Sequence, residues 1–363
     1  MTDHQEHTMT GQLVPSGHLP DNRITHLHRQ WAERHGVEAA DRLVSAEELA
    51  DAVAEQLVPQ NTVDTYDKSW RVWQRFCDEQ RFPEMEGSRG ALVAFVLWML
   101  REGRGATGYA PNSAGTHLAG VVVRLRKAGV DVSKDDAAEA RVQLKKLATE
   151  LKRDGERRGR GQAPAAHLDG IRQVAVACPD SLAGLRDRAL VLLSFHVAAR
   201  ASEPAGLLAA DVVAHERGLR VSVVVGKTEL SVREVAVPYA TDPTACPVRA
   251  YLAWRAALEE TDPRFTDSRD PAFHGIDRWG HVGGAMSADA VTAVIARAAE
   301  RAGIPLRWTG HSLRSGLATA SRAKGKDALV IAAQGGWVPN SKSMMGYMRR
   351  ADEWEDNASA GLA

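Results

Sequence analysis

The sequence predicts a mainly α-helical protein of two domains, the second of which contains one small antiparallel β-sheet. The chain of 363 residues is long enough to build two hydrophobic cores. Its apolar residues recur mostly at helical spacing, and only one pair of β-rich runs flanks a turn. Residues 155–165 interrupt the helical pattern with glycine, proline and arginine, which is typical of a basic interdomain linker.

The first domain is predicted over residues 45–154. Residues 1–44 form a polar, acidic leader with little periodicity, which we expect to be disordered. The capping-box pattern Ser45-Ala46-Glu47-Glu48 predicts that the first helix begins at Ser45 and ends before Pro59. Four further helices are predicted over residues 62–80, 92–100, 112–128 and 135–153.

The second domain is predicted over residues 166–363. A strongly apolar helix over residues 186–199 must be buried. The β-rich runs at 219–225 and 232–237 predict an antiparallel hairpin, with Lys227 in its turn region. Two more helices are predicted over residues 246–259 and 287–302.

Composition and charge limit the classes of function. A hydrophobic content of 44% and a charged content of 25% are those of an ordinary globular protein, and no apolar run is long enough to cross a bilayer. The three cysteines are far apart, which predicts neither a disulfide framework nor a metal site. The net charge of zero divides unevenly: residues 1–60 contain 4 Lys/Arg and 10 Asp/Glu, whereas residues 61–165 contain 19 and 14. This basic middle permits a nucleic-acid surface but does not establish one, because solvated helical faces can look the same.

The pattern near the end of the chain favours phosphate chemistry. His311 and Arg314 are three residues apart, so a helix places them on one face. A histidine and a planar guanidinium together suit one phosphate group. Tyr347 is the last tyrosine of the chain and could bring a phenol to the same phosphate. A phenol is a weak nucleophile at neutral pH unless nearby cations favour its oxyanion, so this site needs further positive charge.

That charge is present in a specific order, and the order resembles the tyrosine recombinase (phage integrase) family. The motifs are Arg200-x-x-Glu203, Lys227, His311-x-x-Arg314, Gly336-Trp337 and Tyr347. Each motif is common alone, but five in order are specific, and the resemblance covers about residues 45–350. It implies the family's two-domain clamp, in which a helical core-binding (SAM-like) DNA-binding domain precedes a mostly helical catalytic domain with a small antiparallel sheet.

The resemblance implies a role for each of these residues. Arg200 and Arg314 grip the scissile phosphate, and Tyr347 attacks it. No metal is expected as a cofactor, because two guanidinium groups stabilise the negative charge that develops on the phosphate. No ATP is expected, because one phosphate ester is exchanged for another. The remaining implied roles are a general acid for the leaving 5′-oxygen (Lys227), a proton acceptor or hydrogen-bond donor near the phenol (His311), an N–H donor to the phosphate (Trp337), and orientation of an arginine or of His311 (Glu203).

Some of these residues have a plainer interpretation. Trp337 could be core packing, and Glu203 could pair with a surface arginine. The separation of Trp337 and Tyr347 is one residue longer than is usual in the family, and we expect a turn at Pro339-Asn340 to absorb the extra residue. Three histidines have no partner in the pattern and are interpreted as structural or solvent-facing: His196, His274 and His281.

The expected partner is double-stranded DNA carrying specific recombination sites, bound by a monomer when free and by a homotetramer on paired sites, with no membrane partner. The expected location is the cytoplasm of a bacterium or phage host, at the nucleoid. The basic residues that we expect to meet phosphates are Arg124, Arg126, Lys127, Lys145, Lys146, Arg157, Arg158 and Arg160.

Three functions remain open from the sequence. The first is site-specific recombination through a 3′-phosphotyrosine and a Holliday junction. The second is DNA relaxation of the type IB topoisomerase kind, which shares this chemistry but uses a monomer. The third is a recombinase-like DNA-binding protein that has lost its chemistry. The helical domain ahead of the catalytic residues favours the first, and the complete set of polar residues argues against the third.

Overall fold

The chain forms two compact units, residues 1–161 and residues 162–363. The computed structural model describes residues 21–56, 58, 60–159, 161, 163–225 and 231–351. The division between the units falls inside the segment predicted as a linker. Within the described residues, no helix is long and apolar enough to cross a membrane.

The first unit is helical. Its elements are α1 (Asp21–His35), α2 (Val37–Gln56), α3 (Gln60–Gln80), α4 (Arg89–Arg101), a short strand β1 (Gly103–Ala106), α5 (Pro111–Lys127) and α6 (Lys134–Arg153). The core lies between α3, α4, α5 and α6, and its centre is aromatic because Trp73, Phe76 and Phe95 pack with ring centroids 5.0 to 5.3 Å apart.

The expectation of a disordered leader is wrong for residues 21–44. This stretch forms α1 and the first part of α2, and the two helices pack against each other. The predicted start at Ser45 is also wrong, because α2 runs through it. The Ser45 hydroxyl donates to the carbonyl of Asp41 at 3.1 Å, one turn back, instead of capping a helix. Residues 1–20 lie outside the described residues.

In the part that the structure describes, the second unit is mainly helical and contains two small sheets. Its elements are α7 (Leu168–Ala177), α8 (Leu182–His196), α9 (Ser202–Gly206), β2 (Val212–His215), β3 (Gly218–Val225), β4 (Ser231–Pro238), α10 (Pro247–Thr261), β5 (His274–Ile276), β6 (Val282–Ala285), α11 (Ala288–Arg301), α12 (Gly310–Ala323), α13 (Ala328–Gly335) and α14 (Lys342–Ala351). The predicted hairpin is confirmed as the antiparallel pair β3–β4, which extends from Gly218 opposite Pro238 to Val225 opposite Ser231. The fold class, mainly α with small antiparallel sheets, is confirmed.

The expectation of a single sheet is incomplete. β2 adds a third strand beside β3, and β5 and β6 form a separate two-stranded sheet with an irregular register. The sequence from His274 to Ala285 contains four glycines and no clean alternation of apolar and polar residues, so periodicity did not reveal it.

The apolar helix α8 lies at the centre of the second core, as its sequence predicts. It packs against α10 and against α12, the helix that carries His311 and Arg314. Helix α12 also lies very close to the segment before α7. A Cβ added at Gly316 would come within 2.3 Å of the carbonyl oxygen of Ala166, and the Ala166 amide donates to the Ser312 carbonyl at 2.9 Å.

This close approach gives a stability prediction. Gly316→Ala should destabilise the second unit by about 1–3 kcal/mol, because the new methyl group meets a backbone carbonyl that cannot move aside. Calorimetric unfolding of the full chain measures the shift. Gly346→Ala is the matched control, since Gly346 is also helical but has open space around its Cα. Equal unfolding temperatures of the two variants would contradict the packing described for α12.

Candidate active site

The start of α12 is fixed by a capping box and by close backbone contact. The Ser312 hydroxyl accepts from the Thr309 amide at 3.0 Å, and the Ser312 amide donates to the Thr309 carbonyl at 2.9 Å. Gly310 abuts the chain just after Arg200, because a Cβ there would lie 2.9 Å from the Ala201 nitrogen. This contact brings the α12 residues His311 and Arg314 to the segment that carries Arg200.

Arg314 is the most enclosed positive charge of the site. The residue is 2% exposed, and its Nη1 donates to the carbonyl of Ala198 at 2.6 Å. Its guanidinium carbon lies 4.0 Å from the centre of the Trp337 ring, which is a cation–π contact. Nη2 is buried without a hydrogen-bond partner. Burial, and then the charge of Arg200, lower the pKa of Arg314 to about 10, so the guanidinium remains protonated at neutral pH.

Arg200 and Glu203 form a pair at the edge of the site. Nη1 of Arg200 donates to Glu203 Oε1 at 2.7 Å, and the Arg200 amide donates to Oε2 at 3.0 Å. The Glu203 side chain is 5% exposed, whereas that of Arg200 is 45% exposed. The carboxylate is therefore a buried anchor, and the guanidinium that it holds faces solvent. Glu203 therefore does pair with an exposed arginine, as its plainer interpretation has it, although the carboxylate itself is buried.

The aromatic side of the site consists of Trp337 and Tyr347. Their ring centroids are 6.1 Å apart, and both belong to a small apolar cluster with Ala318 of α12 and Met344 of α14. Trp337 thus packs in a core and also contacts a site arginine, and its role as an N–H donor to the phosphate stays a prediction. Tyr347 is 5% exposed and lies near His311, with ring centroids 6.4 Å apart.

A turn between α13 and α14 accommodates the longer spacing of Trp337 and Tyr347. Asn340 has a left-handed φ of 59°, and the Ser341 amide donates to the Val338 carbonyl at 3.1 Å. Asparagine is one of the residues that adopt this conformation readily. The expected turn at Pro339-Asn340 is confirmed.

His311 lies beside the two arginines. Partial burial of its ring, and then the positive charges of Arg314 and Arg200, lower the pKa of His311 below its ordinary value of 6.5. The imidazole is therefore neutral at neutral pH in the free protein. In this state one ring nitrogen can accept a proton.

The structure brings together five of the six predicted catalytic residues and Glu203. Arg200, His311, Arg314, Trp337 and Tyr347 are linked through the hydrogen bonds, ring contacts and charge interactions given above. Lys227 lies outside the described residues, which end at Val225 and resume at Ser231. The site can present two guanidinium groups, a neutral imidazole and a phenol to one ligand. This set of groups suits a phosphodiester.

The predicted DNA-binding residues all belong to the first unit. Arg126 donates to the carbonyls of Val132 and Ser133, and Arg158 donates to the carbonyl of Leu100. Arg124 pairs with Asp67 at 3.0 Å and stacks over Trp70. Arg160 lies outside the described residues. The other predicted contacts are exposed, and they are Lys127, Lys145, Lys146 and Arg157.

The profile of the Phage integrase family matches residues 168–353, about half of the chain. The chain belongs to the phage integrase (tyrosine recombinase) family. The match confirms the family that the motifs predict, and with it the class of enzyme, a tyrosine site-specific recombinase. The matched residues include all of the site.

Relatives of this integrase-family protein cover both units. An "Integrase/recombinase xerD homolog" from Selenomonas ruminantium is 23% identical over 302 residues, which are 82% of this chain and 84% of the relative. The XerH site-specific recombinase bound to palindromic difH substrate is similar in fold, with a TM-score of 0.58 at 11% identity, over 94% of this chain and 90% of that one. A lambda integrase (75–356) dimer bound to a COC′ core site gives 0.54 at 15% identity, over 85% and 96%.

The sequence analysis missed Arg233, on β4. Its Nη2 lies 3.2 Å from Glu203 Oε2, and its side chain is only 9% exposed. A signal was present in the sequence. In β4, Arg233 shares one face of the strand with Val235 and Val237, which are both buried. A charged residue at an inward position of a strand indicates a buried partner.

The electrostatics of His311 can be measured directly. In the free protein its NMR titration midpoint should lie below 6.5, and Arg200→Gln should raise it by removing one nearby charge. Because folding lowers this pKa, the neutral imidazole stabilises the fold above the unfolded-state pKa, and this contribution is lost as the pH falls. Arg220→Gln, an exposed arginine on β3, is the control and should leave the midpoint unchanged. A midpoint at or above 6.5 would contradict the placement of the two arginines beside the ring.

Proposed function

We propose that this protein is a site-specific DNA recombinase that cuts and rejoins DNA through a covalent 3′-phosphotyrosine intermediate and a Holliday junction, with neither metal nor ATP. The observation that carries the proposal is the buried, unpartnered Nη2 of Arg314 beside Tyr347 and Arg200. A charged donor buried without an acceptor is costly. A phosphate oxygen supplies the missing acceptor and places a phosphorus atom near the phenol.

The proposed reaction exchanges one phosphate ester for another. The Tyr347 oxygen forms a bond to phosphorus while the bond from phosphorus to the 5′-oxygen breaks, which leaves a 3′-phosphotyrosine and a free 5′-hydroxyl. Neutral His311 accepts the phenolic proton, and Lys227 donates a proton to the leaving oxygen. Arg200 and Arg314 stabilise the negative charge that develops on the non-bridging oxygens. Attack by a 5′-hydroxyl of a second strand reverses the step and joins new partners.

The proposed partner is double-stranded DNA, held by a homotetramer on paired sites. Solved relatives support this proposal, because XerH and lambda integrase are bound to their DNA sites. Lambda integrase is also found as a tetramer bound to a Holliday junction. That structure has a TM-score of 0.50 to this chain at 15% identity, over 80% of this chain and 76% of that one. In the first unit, the exposed Lys145, Lys146 and Arg157 are the proposed phosphate contacts, because their charges are open to solvent. Arg126 and Arg158 also hold backbone carbonyls, so their loss should affect the fold as well.

The nucleophile gives the direct test of this function. Tyr347→Phe should abolish covalent attachment to DNA and leave DNA affinity nearly unchanged, because a single hydroxyl group is removed. The assay mixes protein with nicked duplexes, from which a short strand diffuses away after cleavage, and separates adducts on denaturing gels. Tyr251→Phe, a tyrosine of the core of the same unit, is the control and should keep the adduct. An undiminished adduct in Tyr347→Phe would refute the assignment of the nucleophile.

The general acid gives a second prediction. Lys227→Ala should slow the cleavage of ordinary DNA but not of DNA with a 5′-bridging phosphorothiolate, because sulfur leaves without being protonated. Single-turnover rates on the two substrates provide the comparison. Equal slowing on both would assign Lys227 to binding instead of proton transfer.

Recombination of two-site DNA, measured beside relaxation of a one-site plasmid, separates a recombinase from a relaxing enzyme.

A further inference from the structure

Arg233 occupies a position where a charged side chain is costly. It lies on the inward face of β4, in line with Val235 and Val237, and its side chain is 9% exposed. A guanidinium in such a place is tolerated only if acceptors replace the lost water. Burial lowers the pKa of Arg233, and the Glu203 carboxylate opposes that effect. The location of these acceptors therefore indicates the role of Arg233.

These acceptors belong to three segments that lie 30 to 101 residues from Arg233 in the sequence. Nη2 of Arg233 contacts Glu203 Oε2 at 3.2 Å, and Nη1 donates to the carbonyl of Val197 at 2.9 Å. Nη1 also donates to the carbonyl of Gln334, at the end of α13. One planar group thus ties α9, the turn after α8 and the last turn of α13 to the strand β4.

Each of the tied segments carries or contacts a residue of the site. Glu203 holds Arg200 by two hydrogen bonds. Val197 precedes Ala198, whose φ of 50° is left-handed and whose carbonyl accepts from Arg314. Gln334 lies three residues before Trp337, the ring over which Arg314 stacks.

The surrounding chain is shaped to fit this arginine. Gly336 has a φ of 61°, and a Cβ there would lie 2.9 Å from both Cδ and Nε of Arg233. The Gln334 side chain adds a parallel tie, because its amide donates to the His196 carbonyl at 2.8 Å. A lysine could keep the charge, but it has no planar fork that reaches acceptors on both sides.

We propose that Arg233 is a positioning residue of the strand-transfer site, which holds Arg200 through Glu203 and fixes the two turns that orient Arg314 and Trp337. Arg233 itself does not touch the phosphate. This inference rests on the proposed function, since the exact placement of the arginines matters only if they grip a phosphate. Misplacement of reacting groups by about 1 Å can cost about 10²-fold in rate.

The test is single-turnover cleavage of nicked duplex DNA by the full-length protein at saturating concentration. Arg233→Lys should slow cleavage by about 10²-fold and leave DNA affinity nearly unchanged. Arg255→Lys is the matched control, because Arg255 is also nearly buried, at 11% exposure, and also binds a carbonyl, that of Phe265, and a glutamate, Glu259. A similar loss of thermal stability in both variants, with slow cleavage only in Arg233→Lys, is the expected result.

Two further measurements separate positioning from other roles. The slowing by Arg233→Lys should be the same on ordinary and 5′-phosphorothiolate DNA. Arg233 positions the arginines that bind the phosphate, and it does not affect protonation of the leaving group. Combined with Glu203→Gln, Arg233→Lys should slow cleavage by much less than the product of the two single effects, because both act through one carboxylate. Rescue by the phosphorothiolate, or full additivity, would overturn the proposal.

The remaining outcomes are also decisive. Wild-type cleavage speed in Arg233→Lys, or equal slowing in Arg255→Lys, would overturn the proposal. If Arg233→Lys does not fold, Glu203→Gln alone must still slow cleavage about 10²-fold, and wild-type speed there overturns it. Failure of the wild-type protein to form any adduct would instead refute the proposed function, so the two failures are distinguishable.

Discussion

Three positive side chains of the second unit, Arg200, Arg233 and Arg314, lie around one buried carboxylate, Glu203, and the local structure has to offset their repulsion. Burial, and then the charges of Arg200 and Arg233, lower the pKa of Arg314, whereas the Glu203 carboxylate raises it. Glu203 accepts from Arg200 and from Arg233 at once. One anion cannot balance three cations, so the site is positively charged before any ligand arrives. Such preorganised charge stabilises an anion without rearrangement at the moment of reaction.

Backbone carbonyls make this excess of charge tolerable. Arg314 binds the carbonyl of Ala198, and Arg233 binds those of Val197 and Gln334. The chain turns sharply to present them, and Ala198 adopts a left-handed φ that alanine normally avoids. Strain of this kind persists only where the surroundings enforce it, and here it is found beside the residues assigned to chemistry. Gly336 serves the same arrangement by leaving room for Arg233.

The sequence predicted most of this architecture because strong periodicity leaves few alternatives. The helices α3 to α6, the buried helix α8 and the hairpin β3–β4 all follow from apolar spacing and turn residues. The site residues could be named because His311 and Arg314 share a helical face and the remaining motifs follow the family order. Glu203 was named as an orienting residue, but neither its depth nor its second partner could be predicted from the sequence.

What the sequence did not predict depends on tertiary contact. Helix α1 and the part of α2 before Ser45 were missed because α1 is polar overall, and the two helices are held by packing on each other, which local pattern does not reveal. The β5–β6 sheet was missed because short, glycine-rich strands carry little periodic signal. Arg233 was missed because its meaning depends on which face of β4 is buried, and three of its acceptors lie 30 to 101 residues away.

The central claim is that Tyr347 becomes covalently joined to a DNA 3′-phosphate in the presence of these arginines. The most direct measurement incubates the wild-type protein with a randomised pool of nicked duplexes, so that the target sequence need not be known. Adducts are isolated under denaturing conditions, digested with protease and nuclease, and mapped by mass spectrometry. We expect the nucleotide on the peptide that contains Tyr347, with the phosphate on its phenolic oxygen. A nucleotide on another residue, or no adduct at all, would contradict the account.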